Sequence, residues 1–525
     1  MNQSRNPTYG PSAAARFANR IGKSDVIPWL FAFGSLLIHL LTNGRYGYFR
    51  DELYFIACSR HLDVGYVDMA PLSAWLLRLQ SILFGDSLFA LRLLPAVASA
   101  LTVAFTGIIA RRLGGERWAV VLACAASLSA LVYLGIGNFF SLNVFEPLFW
   151  MGCVYLLLRI RNGASSRCWL WFGLVAGLGL ENKHSMAFFG VGLAVALLAT
   201  QERRHFTQPW IWLGGLIALV VTLPNILWQI RHDWATLELL SNVAESNKNV
   251  VLGPLEFLGQ QILIMNPATL PLWLGGLAWL LASRAGSCYR FLGIAYLVTL
   301  AEFIYLHGKH YYLAPIYPML FAAGGVAIER LCAVRYQWAR PVLLVAIIGL
   351  AALLAPTILP LLPPEKLLAY MRAIRFEPPR TETSHTAALP QLFADQFGWE
   401  EMVRSVARAY GALSPEDQRR AGIFCQNYGQ AGAIDFFGSK YGLPPAVSGH
   451  QNYHLWGPRE FSGELLLVID WPGGDEPEQF RTVEDLGPVD SSPWAMPFEQ
   501  RAHIYLCRDL KGDLRTLWPK LKDWM

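Results

Sequence analysis

Apolar residues run through the first two thirds of the chain in long stretches broken by short polar gaps, and the last third abandons that pattern. A helix needs about 20 mostly apolar residues to cross the hydrocarbon core of a bilayer. Eleven stretches approach this, at 27–43, 88–110, 118–136, 142–158, 168–181, 184–200, 210–230, 257–282, 291–306, 311–328 and 341–362. Lysine and arginine gather in alternate gaps, as cytoplasmic loops do: Arg5, Arg16, Arg20 and Lys23 first, then Arg111, Arg112 and Arg117, then Arg159, Arg161 and Arg167. The series continues through Arg203 and Arg204, Arg284 and Arg290, and Arg330, Arg335 and Arg340. Residues 1–26 are therefore expected inside and 27–362 as a membrane core, with the loops 44–87 and 231–256 and the whole of 363–525 outside. The first apolar stretch follows a long polar segment and precedes no small-residue cleavage site, so it reads as a retained anchor.

Within the first external loop, stretches 51–60 and 72–84 mix apolar and polar residues at helical spacing, which predicts helices lying in the interface. After residue 362 the apolar runs are short. GIFCQ at 422–426, LLLVID at 465–470 and HIYLC at 503–507 read as buried strands, and Gln430 to Tyr441 reads as a helix stopped by Gly442 and Pro444. The tail is expected to be a small α/β domain.

Composition sharpens the division. The chain of 525 residues is 54% hydrophobic and 15% charged, but the charged residues split almost evenly, 42 before Pro363 and 39 after it. The tail is about twice as densely charged as the front, as befits a soluble domain. Net charge is +10 for the front and −5 for the tail. No clustered basic face appears, which excludes nucleic acid as a partner. Eight cysteines carry no metal spacing; most read as buried apolar residues, and Cys425 and Cys507 are either a disulfide or buried thiols.

The ionisable residues outside the cytoplasmic loops converge on the outer face: Asp51, Glu52, Asp68, Lys183, His184, His232, Lys309 and His310 among them. A transporter more often places such groups at the bilayer midplane on broken helices, which makes a transporter or flippase of lipid-linked substrates the alternative reading. Asp51 and Glu52 are neighbours, so on a helix they point in different directions, and one carboxylate can serve chemistry while the other positions a ligand; the bland reading is two carboxylates solvated at a helix N-terminus. Lys183 and Lys309 each sit at the end of a span beside a histidine and suit a phosphate arriving at the membrane surface, or else they snorkel. Tyr311 and Tyr312 follow Lys309 and are open to the same role or to an aromatic belt. Glu146 and Glu302 fall within spans, where a carboxylate is a functional candidate by default. Tyr428, Asn427, His450, Asn452 and Tyr453 are candidates for an acceptor groove in the tail, with a surface loop as the plain alternative.

The ordered segments YFRDELYFIACSRHLDVGYVDMAPL, LRLLPAVASALTV, FFSLNVFEPLFW, GLGLENKHSM, LPNILWQIRHDW, GKHYYLAPIYPMLFAAG and NYGQAGAIDFFGSKYGLPPAVSGHQNYHLWGP resemble, over essentially the whole chain, the bacterial family 39 type membrane glycosyltransferases. These are related to protein O-mannosyltransferases and to the aminoarabinose transferases that modify lipid A. The resemblance implies a GT-C fold: a polytopic helical membrane core of about eleven transmembrane helices, interfacial helices in the first external loop, and an active site on the periplasmic side of the bacterial inner membrane. It also implies a polyprenyl-phosphate-linked sugar as donor, in contact with membrane lipids, and a periplasmic lipid (lipid A or lipopolysaccharide), glycan or protein as acceptor. Asp51 matches the acidic residue that acts as catalytic base, with Glu52 its catalytic neighbour. Lys183, Lys309, His310, Tyr311 and Tyr312 match positions that hold the carrier phosphate, with Asp68 and Glu146 beside them in the substrate site. The aminoarabinose enzymes have Glu-Lys-Pro-Pro where this chain has Asp68-Met69-Ala70-Pro71, so a phosphate-binding lysine is gone. A divalent metal, if one is held, would use Asp68 and His232. The implied chemistry is inverting transfer, and the missing Gly-rich phosphate loop agrees with a donor that is not a nucleotide.

Overall fold

A computed structural model describes residues 26–246, 248–379, 382–383, 387–474 and 476–525; Arg5, Arg16, Arg20 and Lys23 of the expected cytoplasmic segment lie outside the described residues. All eleven apolar stretches are helical. Six helical segments are long and apolar enough to cross a membrane, namely Leu88–Arg112, Leu142–Arg161, Pro209–Arg231, Ser287–Tyr305, His310–Leu331 and Ala339–Thr357. The chain is a multi-pass membrane protein.

The expected count of eleven full spans is corrected by length and by breaks. Helices Ile27–Thr42, Arg117–Ser129 and Met186–Leu198 are apolar but shorter, and Cys168–Asn182 has 15 residues. Stretch 118–136 is two helices, because Ala130 is extended at ψ 124° between Arg117–Ser129 and Leu131–Ile136. Stretch 257–282 is not one span either: helices Pro254–Ile264 and Pro267–Ala282 meet at 97°. The cause is local. A residue before proline is pushed out of the α region and the proline has no N–H to give, and Asn266, ahead of Pro267, sits at φ +68° with its side chain accepting from the Ala268 amide and donating to the Ile347 carbonyl.

Two helices form where the first loop was expected to hold them, Arg50–Arg60 and Leu72–Phe84. The C-terminal sheet contains β1 (Gly422–Cys425), β2 (Ala446–Val447), β3 (Leu465–Asp470), β4 (Phe480–Pro488) and β5 (His503–Leu510), in the order β2-β1-β3-β5-β4. Strands β1, β2 and β3 run parallel and β5 runs antiparallel to β3 and β4. Because β3 lies between β1 and β5, Cys425 pairs in register with Ile469 and Cys507 with Leu466, and no disulfide joins the two cysteines.

One hydrophobic cluster ties this sheet region to the membrane part. It runs from Leu53 and Ile56 of helix Arg50–Arg60 through Ile434 and Phe437 to Leu467 and Ile469 of β3. The contact is close at helix Tyr428–Phe437, where a Cβ on Gly432 would lie 2.9 Å from the Leu53 carbonyl carbon. The absence of a side chain there lets the two helices touch backbone to backbone.

Candidate active site

Helix Arg50–Arg60 begins at Phe49, whose backbone is extended and whose N–H donates to Glu52 Oε2 at 2.8 Å. That cap turns the first helical turn so that Asp51 and Glu52 face opposite surroundings. Glu52 is wholly buried against Arg92, itself wholly buried, at 2.8 Å. Its carboxylate accepts from Arg92 Nε and Nη2, from the Phe140 amide at 2.7 Å and from the Phe49 amide. Arg92 spends its remaining donors on the carbonyls of Asn43 and Gly47. A buried ion pair is stable when hydrogen bonds satisfy both partners, and this one is so satisfied that Glu52 has no lone pair to offer a substrate. Glu52, expected beside Asp51 in the catalytic pair, is thus bound to the loop, the helix start and the Phe140 backbone and is not among the cavity-lining residues.

Asp51 instead looks into a cavity of about 500 Å³. Its carboxylate, about a third exposed, accepts the Tyr428 hydroxyl at 2.8 Å and lies 3.6 Å from Arg50 Nε. The cavity floor is apolar, built by Leu131, Ile136, Leu240, Leu263 and Ile358, whereas its head carries Asp51, Asp68, Arg50, Lys248, Lys309 and Glu382. His310, Tyr311 and Tyr312 line it as well. An apolar pocket with a few convergent polar groups is the form of a small-molecule site.

Charge at the head is concentrated and of both signs, with Arg50, Lys248 and Lys309 facing Asp51, Asp68 and Glu382. Arg50 Nη2 reaches Glu382 at 3.7 Å and Asp395 at 3.9 Å, and its guanidinium lies 5.6 Å from the Tyr428 ring centre. Burial drives the Glu382 carboxyl up, but Arg50, Lys309 and Lys248 together outweigh it and hold the group below the usual range. Burial pulls the Lys248 ammonium down, opposed by Glu382. Desolvation pushes Asp395 up to about 7 despite Arg50. Burial and the neighbouring carboxylate keep the Tyr428 hydroxyl protonated far above neutrality, so it remains a donor to Asp51. Desolvation lifts Asp68 to about 6, although the Tyr54 hydroxyl at 2.8 Å and the Asn452 amide both favour its ionised form.

The remaining expected residues stand behind this wall. Lys183 pairs with Glu146 at 3.2 Å, donates to Asn143 Oδ1 at 2.8 Å and places its ammonium 4.0 Å above the Tyr312 ring. Asn143 and Tyr312 line the cavity; Lys183 and Glu146 are not among the lining residues. Glu146 also accepts the Ser185 hydroxyl. His232 stacks on Trp228 with ring centres 4.0 Å apart and uses Nδ1 on the Trp228 carbonyl, while Asp68 is committed to Tyr54 and Asn452. Among the described residues no three His, Cys, Asp or Glu side chains cluster as a metal site. With Asp68 and His232 so committed, the donor set does not fit a divalent ion.

Sequence reasoning missed Arg50, Lys248, Glu382 and Asp395, and it placed Tyr428 in a groove instead of on Asp51. Arg50 carried a usable signal, standing in the same motif as Asp51. The others join the site across hundreds of residues, where spacing is silent.

Residues 68–228 match the family model described as dolichyl-phosphate-mannose-protein mannosyltransferase. The lipid A galacturonosyltransferase RgtD of Rhizobium johnstonii is 28% identical over 225 residues, which is 42% of this chain and 47% of that protein. An undecaprenyl phosphate-alpha-4-amino-4-deoxy-L-arabinose arabinosyl transferase of Pectobacterium carotovorum is 26% identical over 224 residues, 40% of this chain and 39% of that one. The alignments thus span less than half the length of either relative. Two crystal structures of ArnT from Cupriavidus metallidurans superpose over 91% of this chain and 97% of theirs, the apo state with TM-score 0.58 at 16% identity and the undecaprenyl phosphate complex with TM-score 0.60 at 15% identity.

The fold is the ArnT fold. The GT-C architecture expected from the sequence is therefore borne out, as is the resemblance to the mannosyltransferases and the lipid A aminoarabinose transferases. In this ArnT-like frame the cavity combines apolar walls with a head where Arg50, Lys248 and Lys309 meet the carboxylates of Asp51, Asp68 and Glu382.

Proposed function

We propose that this chain is an inverting glycosyltransferase of the bacterial inner membrane. It takes a sugar from a polyprenyl-phosphate carrier and passes it to a lipid acceptor of the lipid A class at the periplasmic face, with its N-terminus in the cytoplasm and residues 363–525 forming a periplasmic domain. The observation that carries this reading is the cavity itself: Asp51 opposite Arg50, Lys248 and Lys309, over a floor that suits a polyprenyl chain. The relatives that modify lipid A with sugars, and the undecaprenyl phosphate held by the ArnT structure, supply the substrate class.

In the reaction the acceptor oxygen attacks the anomeric carbon as its proton passes to Asp51, and the bond from that carbon to the phosphate oxygen breaks. The electron pair leaves on the carrier phosphate, where charge-assisted bonds from Lys309, Lys248 and Arg50 offset the growing negative charge. Positive charge building on the sugar ring is met by the Asp51 carboxylate. Tyr428 keeps that carboxylate aimed through its hydroxyl. Lys183 acts at one remove, holding Tyr312 and Asn143 in place from behind. When the acceptor oxygen belongs to a phosphate, it carries no proton to lose and Asp51 serves as an electrostatic partner alone.

The test is transfer from a radiolabelled undecaprenyl-phosphate sugar to lipid A by the purified full chain in sealed proteoliposomes. Label appearing in lipid A supports the reading. Label that crosses the bilayer still attached to its carrier, with none transferred, identifies a flippase instead.

A further inference from the structure

A second chamber of about 1060 Å³ sits beside the first and shares Arg50, Lys248, Tyr428 and Met525 with it. Its position in the sheet is informative. In open α/β sheets ligands settle outside the carboxyl ends of the parallel strands, at the point where successive connections leave in opposite directions. Here the chain leaves β1 towards β2 on one side, and leaves β3 towards β4 and β5 on the other, with β1 and β3 adjacent and parallel. The chamber lies at that place. Gln426, Asn427 and Tyr428 follow β1, His450 follows β2, Trp471 and Pro472 follow β3, and the antiparallel β5 brings its first residues to the same end.

The lining chemistry names the ligand class. Arg501 is exposed and, among the described residues, in no ion pair; Lys248 is half-buried in the field of Glu382 and Asp523, and His503 is held by Asp485 at 3.0 Å. Asp523 is the acidic lining residue. Trp471 is locked as a flat apolar wall, its indole N–H donating to the Phe498 carbonyl at 2.8 Å and its ring 6.3 Å from that of Phe498. A guanidinium without an ion pair next to a fixed aromatic wall suits a saccharide that carries an anionic group, because the C–H face of a sugar packs on the ring while the guanidinium forks onto phosphate.

We infer that this switch-point chamber binds the phosphorylated sugar headgroup of the acceptor lipid, with Arg501 on its phosphate and Trp471 against its ring, and that Tyr428 and Arg50 form the wall through which the acceptor meets the donor. The inference rests on the transferase reading above and adds to it where the acceptor sits and which group selects it. The C-terminal sheet is then a substrate-binding element and not a cover.

The experiment measures equilibrium binding of lipid A, of its dephosphorylated form and of undecaprenyl phosphate to the full chain in nanodiscs, for the wild type, Arg501→Gln, Arg501→Lys and Trp471→Ala. Removing one charge-assisted phosphate contact should weaken lipid A binding about tenfold in Arg501→Gln. Arg501→Lys should recover most of the affinity, the dephosphorylated lipid should bind the wild type as weakly as lipid A binds Arg501→Gln, and undecaprenyl phosphate should bind every variant equally. Because Arg501 is exposed, its replacement leaves the fold intact whatever Trp471→Ala does. Lipid A binding that is unchanged in Arg501→Gln, or equal wild-type affinity for the two lipids, overturns the assignment while sugar transfer by the wild type stands. A wild type that transfers no sugar overturns the transferase reading itself.

Discussion

The two faces of the helix Arg50–Arg60 hold neighbouring carboxylates in opposite surroundings. On one face Glu52 is dry and saturated, held by Arg92 and two backbone amides. On the other Asp51 is part-solvated, tethered by the Tyr428 hydroxyl, and open to a cavity. A buried charge with every lone pair engaged contributes geometry, whereas a carboxylate with a free oxygen next to space can accept a proton. Adjacent acidic residues thus need no shared function, and the difference can be tested from either side.

The largest effect should come from the open face. Asp51→Asn keeps the size of the side chain and removes its basicity, so transfer to a hydroxyl acceptor should fall about 100-fold to 10,000-fold with the apparent melting temperature unchanged. Full activity in that variant would refute the assignment of Asp51 as base. On the dry face, Arg92→Leu strands the Glu52 carboxylate, which should cost roughly 3–5 kcal/mol of stability and lower the thermal midpoint sharply; Arg92→Leu with Glu52→Leu together should recover much of it. An undiminished midpoint in the single variant would mean that the pair does not hold the loop.

Asp395 tests the boundary between the two faces. Its folded-state carboxyl is raised from 3.8 to about 7, chiefly by burial. A raised carboxyl favours the folded state fully at pH below its unfolded value and loses that contribution as pH rises through the folded one. Stability should therefore decline between about pH 4 and pH 7, on the order of 4 kcal/mol from this group, and Asp395→Asn should flatten the decline measured by thermal unfolding across that window. Tyr428→Phe should have the smallest effect. Losing one hydroxyl donor of about 1 kcal/mol should lower kcat by about fivefold, with the KM for the polyprenyl donor unmoved; a rise in that KM instead would put Tyr428 on the donor and not on Asp51.

Much of the architecture was legible because hydropathy and periodicity are local. The eleven apolar stretches all became helix, the run at 465–470 is β3 residue for residue, and the two helices of the first loop appeared where amphipathic spacing put them. What hydropathy cannot register is a break inside an apolar run, which is why the turns at Ala130 and Asn266 divided two expected spans. Strand β4 escaped notice because it lies at the sheet edge with mostly exposed side chains, so it lacks the apolar signature of a buried strand.

For the site, the sequence by itself determined the inventory: a membrane chain with an acidic pair after its first helix, lysines at the ends of apolar stretches, and a charged tail of different composition. Those properties are carried by residue type and by neighbours along the chain. The tertiary structure alone decided the roles. It withdrew Glu52 by closing Arg92 upon it, set Lys183 behind Tyr312, and brought Tyr428 to Asp51 from 377 positions away. Which lone pair remains open is fixed by packing between distant segments, and no local pattern encodes that.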